Sequence, residues 1–255
     1  MKIALIQLNI AWESKKVNYE KAEFFAKKAT KEKCDVIVFP EMFNTGFSMN
    51  VSAIAESENG ETNLVLSEIA KKYSIYLIAG FPVKEQDEEK GRNIAVVYDR
   101  KGIRITTYTK IHPFSFSDED KYYIAGSNPV IFNIDNIPCS IFICYDLRFP
   151  EVFRKVAKNV QVVFVIANWP ASRKDHWETL LKARAIENQC FVIGANRTGT
   201  DGNGITYHGA SHIFGPLGNN ILCGDDKKEF LTGEINPSEA ADVRSKFPFL
   251  KDMRI

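Results

Sequence analysis

Three side chains that together could cleave an acyl bond each follow a predicted strand: Glu41, Lys110 and Cys144. A cysteine thiolate attacks a carbonyl carbon, and a neighbouring carboxylate can accept the proton of the thiol. A lysine ammonium can stabilise the oxyanion that forms in such an attack. These residue types therefore indicate amide or related acyl chemistry. An ion pair between Glu41 and Lys110 beside an inert cysteine explains the same residues, and spacing alone favours this simpler interpretation.

The position of Cys144 is typical of a junction between a strand and a helix. The apolar run 141–143 ends at this cysteine, and Pro150, at home in a first helical turn, opens a helical pattern. Such a junction directs free backbone N–H groups, here that of Tyr145, toward a ligand at the end of the sheet. We expect the helix dipole and nearby cations to lower the pKa of the thiol. A buried structural cysteine is the alternative.

Alternating strands and helices are predicted to position these side chains. The predicted strands cover 3–8, 36–39, 75–81, 93–98, 103–108, 130–134, 139–143, 162–167 and 190–195. The predicted helices cover 19–29, 63–73, a segment after Pro150, 175–188 and 238–246. Several strands are apolar throughout, which is typical of strands buried on both faces. The two halves of the chain are similar, so we predict two packed sheets, each covered by helices.

Three segments interrupt this alternation. The stretch 111–126 is polar and aromatic and too long for a tight turn, so it is predicted to be a functional loop. The stretch 197–204 is predicted to be a glycine-rich loop, and 211–214, 221–223 and 230–234 to form a short meander. The three candidate catalytic residues all fall at the ends of predicted strands, where ligands gather in α/β sheets.

Composition excludes several classes of function. The 255 residues carry a net charge of +1 without a basic patch, which predicts no nucleic-acid or membrane partner. The five cysteines form no C-x-x-C pair or regular framework, which favours a reducing compartment. No apolar run approaches the roughly 20 residues of a membrane span, and no signal-peptide pattern is seen. We therefore predict a cytoplasmic protein.

Three blocks of the sequence resemble, in order, the signature blocks of the nitrilase (carbon–nitrogen hydrolase) superfamily. They are 40–43 (PEMF), 108–112 (YTKIH) and 143–150 (ICYDLRFP). Further segments fit the same family: 167–170 (ANWP), 176–177 (HW) and 183–188 (ARAIEN). The segments 168–170 (NWP) and 201–204 (DGNG) resemble its bacterial ω-amidase branch, and the resemblance runs from residue 3 to about residue 223.

The resemblance implies a fold, an assembly and a set of residue roles. The fold would be a four-layer α-β-β-α sandwich with two central mixed sheets, forming a single domain over 1–255. The assembly would be a homodimer or higher homo-oligomer without cofactor or metal. Glu41 would be the general base, Lys110 the oxyanion stabiliser and Cys144 the nucleophile. A second glutamate after the lysine would position the substrate, and Glu119, flanked by Asp118 and Asp120, fits that role best.

The ω-amidase resemblance implies a short dicarboxylic acid monoamide as substrate, such as 2-oxoglutaramate or 2-oxosuccinamate. The carboxylate of such a substrate needs a cation, and Arg173 is the first candidate, ahead of Arg148. Each arginine could equally form a structural ion pair. Trp169, beside a proline at a strand end, is predicted to form a wall of the pocket. The alternatives are an aliphatic amidase, an N-carbamoyl amidohydrolase, or a non-catalytic binding protein on the same fold.

Histidines offer weaker alternatives. His208 and His212 have the i, i+4 spacing of some zinc sites, but they lie near glycine and outside any predicted helix, so no metal is predicted. His112 could be the base of a papain-like cysteine–histidine pair, although no sequence block supports it. His176 is interpreted as a packed helix residue.

Overall fold

Two six-stranded mixed sheets form the centre of the molecule, seen in a computed structural model that describes residues 1–254. The first sheet has the order β14 (Phe230–Glu234), β1 (Lys2–Ile6), β2 (Val36–Val38), β3 (Tyr76–Val83), β4 (Arg92–Tyr98), β5 (Arg104–Thr109). The second has the order β13 (Asn220–Cys223), β12 (His212–Phe214), β9 (Phe191–Asn196), β8 (Val162–Ala167), β7 (Ile137–Ile143), β6 (Ile131–Ile134). In each sheet three parallel strands are flanked by antiparallel ones, so the two halves repeat one plan.

The helices are α1 (Lys15–Lys31), α2 (Val51–Ile54), α3 (Glu61–Tyr73), α4 (Glu119–Tyr122), α5 (Pro150–Val156), α6 (Lys174–Asn188) and α7 (Ser238–Lys246). Helices α1 and α3 bury Phe25 and Leu66 against the outer face of the first sheet. Helix α6 buries Trp177 and Leu181 against the second sheet. None of the helices within residues 1–254 is long and apolar enough to cross a membrane.

Alternation of side chains along the strands builds the layers. On β1, Ile3 and Leu5 face the second sheet, whereas Ala4 and Ile6 face α1 and α3. All four are fully buried, which explains why this strand is apolar throughout. The order of layers is helix, sheet, sheet, helix, as predicted.

Two segments differ from the structure predicted for them. Residues 230–234 do not extend a meander; as β14 they pair antiparallel with β1, from Lys2 opposite Glu234 to Ile6 opposite Phe230. Only β12 and β13 pair with each other in that region. The physical reason is that β1 would otherwise be an unpaired edge, and the turn after β13 lets the chain cross to it. The 197–204 loop contains β10 (Thr198–Thr200), which forms a hairpin with β11 (Thr206–His208).

Candidate active site

Lys110 lies buried between two glutamates. Its Nζ is 2.9 Å from Glu41 Oε1, and 2.8 and 3.1 Å from the two carboxylate oxygens of Glu119. Lys110 follows β5, Glu41 follows β2, and Glu119 opens α4 within the predicted functional loop. Burial alone lowers the pKa of Lys110, but the charges of Glu119 and Glu41 outweigh it and raise the pKa above its ordinary value. Lys110 is therefore a permanent cation at neutral pH.

Two asparagines hold the Glu41 carboxylate. Asn93 Nδ2 donates to Glu41 Oε1 at 2.7 Å and to Glu119 Oε1 at 2.9 Å. The backbone N–H of Asn168, just after β8, donates to Glu41 Oε2 at 2.9 Å. Neither asparagine is among the site residues predicted from sequence. Asn168 lies in a family-like block, and Asn93 is a buried polar residue near the start of an otherwise apolar strand, so both carried a usable signal.

Cys144 occupies a sharp turn at the end of β7. Its φ of +45° lies in the left-handed region, and a 3₁₀ turn, Cys144–Arg148, follows at once. A cysteine held in this conformation indicates a constrained site. The expected lowering of its pKa is wrong. Burial raises the pKa of the Cys144 thiol well above its ordinary value, and the charge of Glu41 adds to this while Lys110 opposes it. The resting group is therefore a thiol.

Hydrogen bonds of Asp146 stabilise the turn at Cys144. Its carboxylate accepts hydrogen bonds from Tyr108 Oη at 2.7 Å and from the backbone N–H of Ile143 at 3.0 Å. It also contacts His112 Nδ1 at 2.7 Å, and the His112 ring stacks on Phe149 at 3.8 Å between centroids. No hydrogen bond joins His112 to Cys144 among the described residues. The structure thus gives no support to a papain-like pair.

A cavity of about 240 Å³ opens above Cys144. All four predicted substrate-binding residues line it: Tyr145, Arg148, Trp169 and Arg173. Besides these four and Cys144, the cavity is lined by Phe47, Phe114, Phe116, Ser117, Asn168, Pro170, Ser172, Ile205 and Tyr207. The site thus combines a thiol, an apolar wall and cationic groups in one cavity.

The two arginines lie against aromatic rings of the cavity. The Arg173 guanidinium lies 5.5 Å from the Phe114 ring centroid, and that of Arg148 lies 4.9 Å from the Trp169 ring centroid. Arg148 also contacts His176 Nδ1 at 3.1 Å. His176 is exposed on α6, so its interpretation as a packed helix residue is wrong. Neither arginine forms an ion pair with a carboxylate among residues 1–254.

The two remaining histidines, His208 and His212, lie in different environments. His208 is exposed, whereas His212 is buried with its Nε2 3.4 Å from Glu178 Oε1. Over residues 1–254, no group of three or more His, Cys, Asp or Glu side chains is arranged to hold a metal ion.

Comparison with known proteins identifies the class. The family model "Carbon-nitrogen hydrolase" matches residues 2–245, and the chain belongs to this family. It is a carbon–nitrogen hydrolase built on the nitrilase fold. The chain is 37% identical to the 2-oxoglutaramate amidase of Bacillus subtilis (strain 168), with 99% of this chain and 97% of that protein covered. It is 34% identical to the omega-amidase YafV of Escherichia coli (strain K12), with 99% and 96% covered.

A solved structure supports the fold independently. A CN-hydrolase superfamily protein from Xanthomonas campestris, 27% identical, superposes with a TM-score of 0.94 over 100% of this chain and 97% of that one. The predicted four-layer α-β-β-α sandwich is thereby confirmed.

Proposed function

We propose that the protein is an ω-amidase. It hydrolyses the terminal amide of a short 2-oxo dicarboxylic acid monoamide, such as 2-oxoglutaramate or 2-oxosuccinamate, to the 2-oxo acid and ammonia. The observation that carries this proposal is that the Cys144 thiol and the cations Arg148 and Arg173 line the same cavity. A substrate with an amide at one end and a carboxylate at the other would present the amide to the thiol and the carboxylate to a cation. The names of the two relatives point the same way.

The first half of the reaction makes a thioester. Cys144 Sγ attacks the amide carbon while its proton passes to Glu41, whose charge acts on the thiol. The carbonyl oxygen becomes an oxyanion, stabilised by Lys110 Nζ and the backbone N–H of Tyr145. The tetrahedral intermediate then collapses, the C–N bond breaks, and the proton on Glu41 goes to the leaving nitrogen as ammonia departs.

The second half hydrolyses the thioester. Glu41, again ionised, takes a proton from a water molecule that attacks the same carbon. The C–S bond breaks, the proton returns to Cys144, and the 2-oxo acid leaves. Glu119 keeps Lys110 in place throughout, because its two oxygens bind the ammonium at 2.8 and 3.1 Å. Its proposed role is therefore to position Lys110 and, through it, the substrate carbonyl.

A panel of amides tests the substrate class. Ammonia release should be fastest with 2-oxoglutaramate and 2-oxosuccinamate, and slower with hexanamide, an aliphatic nitrile and an N-carbamoyl amino acid. The reason is that hexanamide and the nitrile have no carboxylate for the cavity cations, and the N-carbamoyl amino acid presents a ureido group in place of a carboxamide. A higher kcat/KM for a neutral amide, nitrile or carbamoyl compound would contradict the ω-amidase assignment.

Replacing Arg173 by alanine should raise KM for 2-oxoglutaramate about tenfold to a hundredfold. A hydrogen bond to a charged group contributes about 1.5–3 kcal/mol, which corresponds to that range in binding. Turnover of hexanamide, which has no carboxylate, should change much less. Arg148→Ala is the matched comparison, since Arg148 lies on the same cavity but already contacts His176. Equal effects of Arg173→Ala on both substrates would show that Arg173 does not bind the substrate carboxylate.

We further infer a homodimer or higher homo-oligomer acting in the cytoplasm, without nucleic acid, membrane, metal or cofactor. All five cysteines are free, which fits a reducing compartment. Ile186 on α6 is 48% exposed and neighbouring Leu217 57% exposed, so this face offers apolar area for a second copy. Ile186→Asp should shift the molar mass measured by light scattering toward the monomer. As a control, Phe24→Asp, at an exposed position on α1, should not change the molar mass. A wild-type protein with the molar mass of a monomer would contradict the inference.

A further inference from the structure

The two buried glutamates differ in how fully their acceptor positions are used. A carboxylate offers about four lone-pair positions on its two oxygens. Glu119 Oε1 accepts from Asn93 Nδ2 at 2.9 Å and Lys110 Nζ at 3.1 Å. Its Oε2 accepts from Lys110 Nζ at 2.8 Å and from the backbone N–H of Phe114 at 2.6 Å. Glu119 therefore has no acceptor position left for a proton.

Glu41 keeps one position open. Its Oε1 accepts from Lys110 Nζ at 2.9 Å and Asn93 Nδ2 at 2.7 Å, so that oxygen is fully used. Its Oε2 accepts from the Asn168 N–H at 2.9 Å. The Asn168 side-chain amide donates at 2.6 Å to the Glu41 carbonyl oxygen and makes only a long contact, at 3.5 Å, with Oε2, which a proton can displace. Among the residues described, Oε2 of Glu41 is thus the oxygen able to receive a proton.

Asn93 is the residue shared by both carboxylates. It is 1% exposed, and its Nδ2 donates to both glutamates. Its Oδ1 has no hydrogen-bond partner within residues 1–254. A buried acceptor without a partner is destabilising, so the contribution of Asn93 must come from its donor end.

From this geometry we infer that Asn93 is a positioning residue that determines which of the two buried glutamates accepts the Cys144 proton. Its amide fills the last position on Glu41 Oε1 and one position on Glu119 Oε1, so that Glu41 Oε2 is the acceptor that remains. This inference rests on the proposed roles of Glu41 and Cys144 in amide hydrolysis.

The charges around the pair give the direction of the effect. The groups that face it are Lys110 at the end of β5, Cys144 at the end of β7 and Tyr123 after α4. Burial raises the pKa of Glu119; Lys110 opposes this, the charge of Glu41 adds to it, and the Asn93 N–H lowers it. A donor stabilises the ionised carboxylate, so removing Asn93 moves proton uptake by the pair to higher pH.

The test is the pH profile of kcat/KM for 2-oxoglutaramate. Activity needs an ionised Glu41, so it falls on the acid side. In Asn93→Ala this acid limb should move up by about one pH unit. KM on the plateau should stay within about twofold, because Asn93 does not line the cavity. Asn93→Asp keeps the shape but replaces the donor by a third carboxylate, so its limb should move further in the same direction.

Asn188→Ala is the matched control. Asn188 is also 1% exposed, its Oδ1 also lacks a partner among the described residues, and its Nδ2 donates to the Arg184 carbonyl at 2.9 Å, away from the site. Its acid limb should coincide with that of the wild type.

Three outcomes decide the matter. Shifted limbs in the Asn93 variants support the positioning role. Limbs that coincide with the wild type, even with a lower plateau, overturn it and leave Asn93 a packing role. If Asn93→Ala does not fold, Asn93→Leu decides, because leucine keeps the size of the side chain, has no donor and adds no charge. A wild type without Cys144-dependent hydrolysis overturns the proposed function and this inference together.

Discussion

Cys144→Ala is expected to lower kcat for 2-oxoglutaramate by about 10⁴-fold or more. Loss of a catalytic nucleophile removes the covalent route entirely, and what remains comes from binding and the oxyanion donors. Cys144 is the one cysteine among the described residues that line the cavity, so no neighbour can replace it. Steady-state ammonia release measures the loss. Mass spectrometry of wild-type enzyme quenched with substrate should show an acyl adduct on Cys144.

Cys223→Ala serves as the control for this experiment. Cys223 is exposed and lies away from the cavity, so its removal should leave kcat unchanged. Iodoacetamide should label Cys144 before the buried Cys34, Cys139 and Cys190. The reason is access, because Cys144 lines the open cavity whereas these three cysteines are buried. Full activity of Cys144→Ala, or an acyl adduct on another cysteine, would refute the mechanism. If Cys144→Ala keeps both ligand binding and cellular function, the protein is better explained as a non-catalytic binding protein.

Glu41→Gln should lower kcat by about 10²–10⁴-fold. Both halves of the proposed reaction pass a proton through this carboxylate, and positioned general bases contribute on that order. The glutamine keeps the size of the side chain, so the loss measures chemistry more than packing. His112→Ala should only weaken turnover, because His112 bonds to Asp146 behind the nucleophile turn. A larger loss in His112→Ala than in Glu41→Gln would revive the cysteine–histidine pair.

A second measurement separates proton transfer from charge in the Glu41→Gln variant. After burial, the charge of Glu41 is the largest influence that raises the pKa of the Cys144 thiol. Without that charge the thiol pKa should fall, so the pH profile of Cys144 alkylation should move to lower pH even though amide hydrolysis is lost. A profile that does not move, or that moves to higher pH, would show that Glu41 does not face the thiol as proposed.

Strand ends could be predicted from sequence because they depend on local patterns. The apolar runs before Glu41 and Cys144 mark buried strands, and polar residues with proline mark where they stop; the strand before Lys110 is marked by its β-branched and aromatic residues. The resemblance to the nitrilase blocks then predicted that these strand ends meet, and the structure places Glu41 within hydrogen-bond distance of Lys110. Glu119 could be placed in the same way, although the short helix α4 that it opens was predicted only as loop.

Features that depend on distant partners could not be predicted. The pairing of β14 with β1 joins residues more than two hundred positions apart, and nothing in 230–234 distinguishes it from a third meander strand. The pKa of Cys144 was expected to fall because cations were anticipated. Its actual rise comes from burial and from the approach of Glu41, which depend on how both sheets pack. The apolar strand around Asn93 marks this polar residue as unusual, but its hydrogen bonds to Glu41 and Glu119 depend on distant segments and cannot be predicted from it.

The pairing of β14 with β1 also dictates when the molecule can be completed. Strand β1 is synthesised long before β14, so this edge of β1 stays unpaired while the intervening residues are made. The Met1 ammonium bonds to the Ile235 carbonyl at 2.8 Å, so the two chain regions also meet beyond the strands. An open strand edge is a template for pairing between molecules. Chains that lack residues 230–234 therefore expose an unpaired edge of β1 that can pair with another molecule.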